Sequence, residues 1–452
     1  MMAIPSSSSR YLLWLGTVAI CLLHCIPVQS QQLSYQWQSK SSYSAGVGRH
    51  HPITFANETH GFVLGGTTEN SREANDFYIY DEATDSWTDI SPSAAPFPPR
   101  SFGYGIVLNE RNHPKAYLGF GASTVGGFGD RLNDLWELDM STLQWKQLAS
   151  CPGLGRRHPS MVPVYDSIEK RWYIHVGLGD GWIDTGNRFE FSNFNDYWSY
   201  DIDSDAWTQL PDFPSSKRHH PFFFGIGDVS YTGLGHSDGD QPYIERDFYS
   251  YSVSDQAWTR DADFASYQLF GDSAAGATRP TPQLETTEAR VAGTEFSIVL
   301  PLVGDSSPNA TDGLSGAIGF VLSGDGDDHG GMEEGEFHAF YPSTNIDGIT
   351  WGKLPPHPGR SRWAPGSFVM RGTARAYFTS GYDRETSSLL SDVWMIDLSW
   401  LFGGTSGTVV DDIAQADTEV VDEINVADKG WAIIPRQVVV SSMALSMACI
   451  LS

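Results

Sequence analysis

The stretch Lys217-Arg218-His219-His220-Pro221 sets two imidazoles and a guanidinium directly before an aromatic run, Phe222 to Phe224. Imidazole nitrogens can ligate zinc or copper, exchange a proton near neutrality, or satisfy backbone groups in a turn. The stretch is one of a series. Arg-x-x-Pro or Arg-x-x-Gly occurs at Arg49, Arg100, Arg156, Arg218, Arg290 and Arg362, and a histidine precedes the proline at His51, His158 and His220. The same spelling at Arg111 and Arg279 leads no comparable strand, so register gives the series its weight. Two roles are open to these arginines and histidines. They form a binding surface, or they bond loop carbonyls and stack on aromatic rings as parts of the scaffold.

A second set is acidic. In 325–336, Asp325, Asp327, His329, Gly330 and Glu336 fall at positions 1, 3, 5, 6 and 12 of a calcium loop. Position 5 calls for Asp or Asn, and the flanking segments read as strands, so a helix–loop–helix site is excluded. A looser calcium site on Asp325, Asp327 and Glu336 stands against a merely solvated acidic loop, with Asp180, Asp184, Asp238 and Asp240 as further candidate ligands. No cofactor other than calcium is expected. No Ser/His/Asp or phosphate-loop pattern has useful spacing. Carboxylates beside arginines, which a glycosidase or epimerase would need, are too common here to discriminate.

The elements that position these residues repeat. Short aromatic strands recur at 75–81, 133–139, 195–201, 246–252, 335–341 and 391–397. The first five are followed by Trp87, Trp145, Trp207, Trp258 and Trp351. Upstream of each lies an apolar strand ending in glycine: 62–66, 117–121, 173–179, 231–235, 318–324 and 376–381. With the strand after each arginine, this makes four short strands per unit, a sheet that cannot bury both faces alone. Glycines after the second strand, an aromatic third strand and a tryptophan in the fourth resemble the kelch repeat over residues 33–400. The resemblance implies an all-β, six-bladed kelch-type β-propeller. The sixth unit lacks a fourth strand while Leu33–Lys40, carrying Trp37, has no unit of its own. Closure by the N-terminal strand in the last blade is therefore expected. The insertion at 259–290 is where a seventh blade would hide.

In such a meander the fourth-to-first connections share a face with the second-to-third loops. The arginine/histidine elements thus lie beside the long polar loops 121–133, 179–195, 235–246, 324–336 and 381–391. Two glycosylation sequons, Asn57 and Asn309, fall on the opposite face. The loop face is the expected working surface, taking a protein or glycan. The alternative is a galactose-oxidase-like or carbohydrate-active enzyme at the channel mouth. The copper version would need a tyrosine–cysteine pair, and Cys151 is the only available cysteine, with no specific partner evident. Zinc or copper on His51, His158 and His220 would require units 1, 3 and 4 to meet, and they are not all neighbours.

The 452-residue chain carries a formal net charge of −27 and 13% aromatic residues, so phosphates would be repelled and nucleic acid is not an expected partner. Residues 1–30 read as a signal peptide, with Arg10 before the apolar run 11–25. Residues 31–402 are the propeller, 403–430 an acidic Gly/Ser/Thr-containing linker, and 431–452 a hydrophobic tail. The tail reads either as a lipid-anchor signal or as a frayed end. These ends place the protein in the secreted or cell-surface class, with membrane contact only through the tail. Two of the four cysteines precede residue 30 and one is Cys449, so no disulfide framework stabilises the body.

Overall fold

The computed structural model describes residues 36–402 apart from 44–45, 70–71, 92–94, 111–112, 124–129, 239–242, 269–282, 300–315, 328 and 344–347. The leader, linker, tail and Asn309 lie outside the described residues. Among the described residues no helix is long and apolar enough to cross a membrane.

Six antiparallel sheets stand around an axis. Blade 1 runs Ile53–Ala56, His60–Leu64, Phe77–Asp81, Ser86–Asp89; blades 2, 3 and 4 repeat the order and end at Gln144–Gln147, Ala206–Leu210 and Ala257–Arg260. Blade 5 carries Thr294–Val299, Ala317–Leu322, Phe337–Phe340 and Trp351–Lys353. Among the described residues the insertion adds no seventh sheet. Its strands Ser266–Gln268 and Leu284–Thr286 extend the outer edge of blade 5, where Tyr267 runs parallel to Gly352. Blade 6 runs Gly366–Val369, Arg375–Thr379, Val393–Asp397, and its outermost strand is Gln38–Lys40, paired antiparallel with Val393–Met395.

The core lies between blades. Phe55, Phe62 and Leu64 of blade 1 pack on Leu118 and Leu138 of blade 2, and Phe320 and Phe337 of blade 5 pack on Phe378 and Ile396 of blade 6. Sheets buried on both faces need apolar runs rather than alternation. Ala317–Leu322 accordingly hides six consecutive residues. The fourth-strand tryptophans link neighbours: Trp207 Nε1 donates to the Ala149 carbonyl (2.7 Å), Trp258 to Pro211 (3.0 Å) and Trp351 to Ala262 (3.1 Å). Trp37 donates to Pro355 in the same relation to blade 5 (3.4 Å).

A backbone ring holds the loop face. Gly66, Gly121, Gly179, Gly235, Gly324 and Gly381 donate their N–H to the carbonyls of Arg100, Arg156, Arg218, Arg290, Arg362 and Arg49 at 2.8–3.1 Å, passing once around all six blades. Each of these glycines has φ between 86° and 98°, a region that side-chain-bearing residues avoid. The repeated glycine is thus the residue whose amide must turn toward the next blade.

Candidate functional site

The six arginines are buried, Arg49, Arg156, Arg218 and Arg290 fully. Arg49 binds Asp76 through both terminal nitrogens (2.5 and 2.7 Å), Arg100 binds Asp134, Arg156 binds Asp196, Arg218 binds Asp247 and Arg362 binds Asp392. Arg290 instead binds Glu336 at 2.9 Å. Each of the first five also donates to a carbonyl beside its own blade's glycine turn: Gly65, Phe120, Leu178, Leu234 and Ser380. Aromatic rings cover several guanidinium groups, Phe97 on Arg100 at 4.2 Å and Phe194 on Arg156 at 4.9 Å. These arginines staple second-strand ends to third-strand starts. The signal for this was in the sequence: an acid opens the third strand of all six units, as Asp76, Asp134, Asp196, Asp247, Glu336 and Asp392.

The histidines go elsewhere. Two residues after each arginine the backbone turns left-handed: φ is 50° at His51, 65° at Phe102, 50° at His158 and His220, 55° at Ala292 and 51° at Ala364. Blade-to-blade bonds support the turn, from His51 N to the Ala364 carbonyl and from His158 N to that of Phe102, both 2.9 Å. Repeated around the ring, this conformation aims six side chains inward at the axis. Blade adjacency, the argument against convergence, is therefore the wrong criterion. His51 Nε2 and His220 Nε2 are 2.9 Å apart, the rings of His158 and His220 stack at 3.5 Å, and one nitrogen from each of the three lies within 4.8 Å of the others. Phe102 and Trp363 wall the cluster, 4.4 and 4.6 Å from the His51 ring.

Burial pushes His51, His158 and His220 well below the ordinary imidazole range, and nearby cationic groups push the same way. They are neutral at pH 7. Asp180, fully buried, accepts from His158 Nδ1 at 2.7 Å while its other oxygen takes Arg157. His158 Nε2 is buried without a hydrogen-bond partner. Below the cluster a channel cavity of about 350 Å³ is lined by first strands, with His51 and His220 at its upper end. Glu295 projects from its wall, its carboxyl held well above the usual range by burial.

The acidic loop is built differently. Asp325 takes Arg384, Asp327 takes Arg246 at 3.0 Å, and Glu336 takes Arg290 and His338. Although burial opposes it, those last bonds hold Glu336 near 2. The structure thus gives each carboxylate a different arginine rather than gathering the three. Among the described residues the histidine trio is the only group arranged to hold a metal. Cys151 sits in the core shared by blades 2 and 3, its thiol pushed up to about 11 by burial. Asn57 lies in the first-to-second-strand turn, on the face away from the histidines, its Oδ1 accepting the Thr59 and His60 amides.

A site missed from the sequence stands beside the cluster. The blade 3 loop is a hairpin, Asp180–Asp184 paired with Phe189–Asn193. It exposes Phe189 (69%), Phe191 (47%) and Trp182 (40%). Its base is fixed by Asn193, which donates to Asp238 at 2.8 Å and accepts from His219 at 2.9 Å. Arg157 lies over both Phe191 and Phe102, joining the hairpin to the axis. The alternation Phe189-Glu190-Phe191, a few residues after Trp182, was the available signal.

A family model described as the KLHDC2/KLHL20/DRC7 Kelch-repeats domain matches residues 17–212, a span that contains the first three blades. The six four-stranded units around one axis make the chain a six-bladed β-propeller, and its first three blades match that kelch-repeat model.

Proposed function

We propose that this propeller is a secreted or cell-surface binding module that takes a protein partner on its loop face, centred on blades 3 and 4. The hairpin of blade 3 carries the reading. Three aromatic side chains are held in the open on a short ladder whose base is bonded to the next blade. Exposed aromatics on a rigid support give an interface large contact area at small entropic cost. Tyr243, on the neighbouring loop, is 42% exposed and extends the patch. The apolar run at 11–25 and the sequon at Asn57 support the secreted setting, and the tail supports membrane tethering through lipid.

The test compares full-length protein with a Trp182→Ser/Phe189→Ser/Phe191→Ser variant and an Ile168→Ser control in a turn of the opposite face, where Ile168 is 76% exposed. Proteins cross-linked to the wild type in its native compartment should be retained by the control and lost by the triple variant, with melting temperature unchanged. Retention by the triple variant overturns the assignment. Capture of glycans alone on an array would replace the protein partner with a carbohydrate.

A further inference from the structure

We propose that His51, His158 and His220 form a binding site for one divalent transition ion of the zinc class at the upper end of the channel. Three observations converge on it. One ring nitrogen from each residue lies within 4.8 Å of the other two. The 2.9 Å separation of His51 Nε2 and His220 Nε2 matches two ligands about 2.05 Å from a shared ion at an angle of about 90°. His158 supplies the independent sign: Asp180 fixes its Nδ1 as a donor, so Nε2 presents a lone pair, and that atom is buried with no partner.

Carboxylate-to-histidine bonding behind the ligand is the usual way a metal site sets ring tautomer and orientation. Asp180 fills that place for His158, and His50 meets His51 Nδ1 with its own Nδ1 at 2.7 Å. Neutral imidazoles without thiolate suit zinc, copper and nickel and disfavour calcium and magnesium. Tetrahedral spacing needs nitrogens about 3.3 Å apart, so closing on an ion takes ring movements of about an ångström. Because His51 and His220 also line the channel cavity, the remaining coordination position would open toward it and take water or a small anion.

The experiment uses the full chain, stripped with chelator and titrated with ZnCl2, then separately with CoCl2 and CuCl2. One ion per chain is expected, with a visible cobalt d–d band and copper spin-resonance splitting from three imidazole nitrogens. His158→Gln and His220→Gln should each weaken zinc at least 100-fold, and Asp180→Asn about 10- to 100-fold. His175→Gln, which changes a buried histidine of blade 3 outside the cluster, should bind as wild type. No stoichiometric zinc on wild type overturns the proposal, as does undiminished binding by folded His158→Gln. If the ligand variants fail to fold, the copper spectrum of wild type decides alone: fewer than three nitrogens counts against the site.

Discussion

At the residue scale, each repeated arginine is a fork with fixed donors, not a diffuse positive charge. Arg156 uses Nε for the Leu154 carbonyl, Nη1 for Leu178 and Asp196, and Nη2 for the second Asp196 oxygen. A lysine would keep the charge and abandon most of those bonds. Arg156→Lys should therefore destabilise the propeller by about 2–4 kcal/mol in urea unfolding, toward the cost of breaking a buried pair. Arg188→Lys, on the exposed hairpin tip, should stay within about 0.5 kcal/mol. Equal effects would mean that charge rather than geometry holds the turn. The sequence showed the arginines, their register and a scaffold role as one of two, but did not pair each arginine with its acid, because that acid lies 27–46 residues downstream and the same residue types also make binding surfaces. The histidines failed differently. Their meeting depends on a left-handed backbone at one repeated position, and no residue type announces it when His, Phe and Ala all occupy it.

At the element scale, four-stranded units could be read directly, since alternation, glycines and tryptophans repeat at near-constant spacing through the first four units and loosen only in the fifth. The irregular pieces were harder. The Ser266–Gln268 and Leu284–Thr286 strands are too short to show periodicity, and they extend an edge instead of founding a blade. The first strand of the chain has more at stake. Trp37 packs against Phe337, His357 and Phe378, with ring centroids 5.7, 6.4 and 6.2 Å away, and so touches both blade 5 and blade 6. Just beyond, Tyr43 is buried with its hydroxyl 2.5 Å from Ser380 Oγ. Trp37→Ala should cost about 2–4 kcal/mol, less than a fully buried tryptophan because its ring is part-exposed. It should also speed hydrogen exchange in Val393–Asp397 before the inner strands of other blades. Exchange that rises uniformly around the ring would show that this strand is no separate latch.

For the whole molecule, closure stores many imidazoles in the uncharged state. Burial lowers His175 to about 3, His357 to about 3 with Arg362 adding to the shift, and His338 to about 4 against the pull of Glu336. In the unfolded chain each titrates near 6.5. A depressed folded value means the unfolded state binds protons first as pH falls. The stability these groups contribute is complete above about pH 6.5 and is lost downward through their folded values. Each costs up to about 1.4 kcal/mol per pH unit in that window. Glu295 and Asp261, both raised by burial, run the other way: the fold gains from them as pH falls, but two such groups do not offset three histidines. Urea midpoints should therefore fall steadily from pH 6.5 to 4. His175→Gln, whose ring makes a 3.2 Å bond to Ser230 and packs on Tyr197 and Tyr251, should remove about one proton from that slope while leaving the fall through His357 and His338. An unchanged slope in this variant would mean that His175 already titrates as an open imidazole, and that blade 3 admits water where its core is packed.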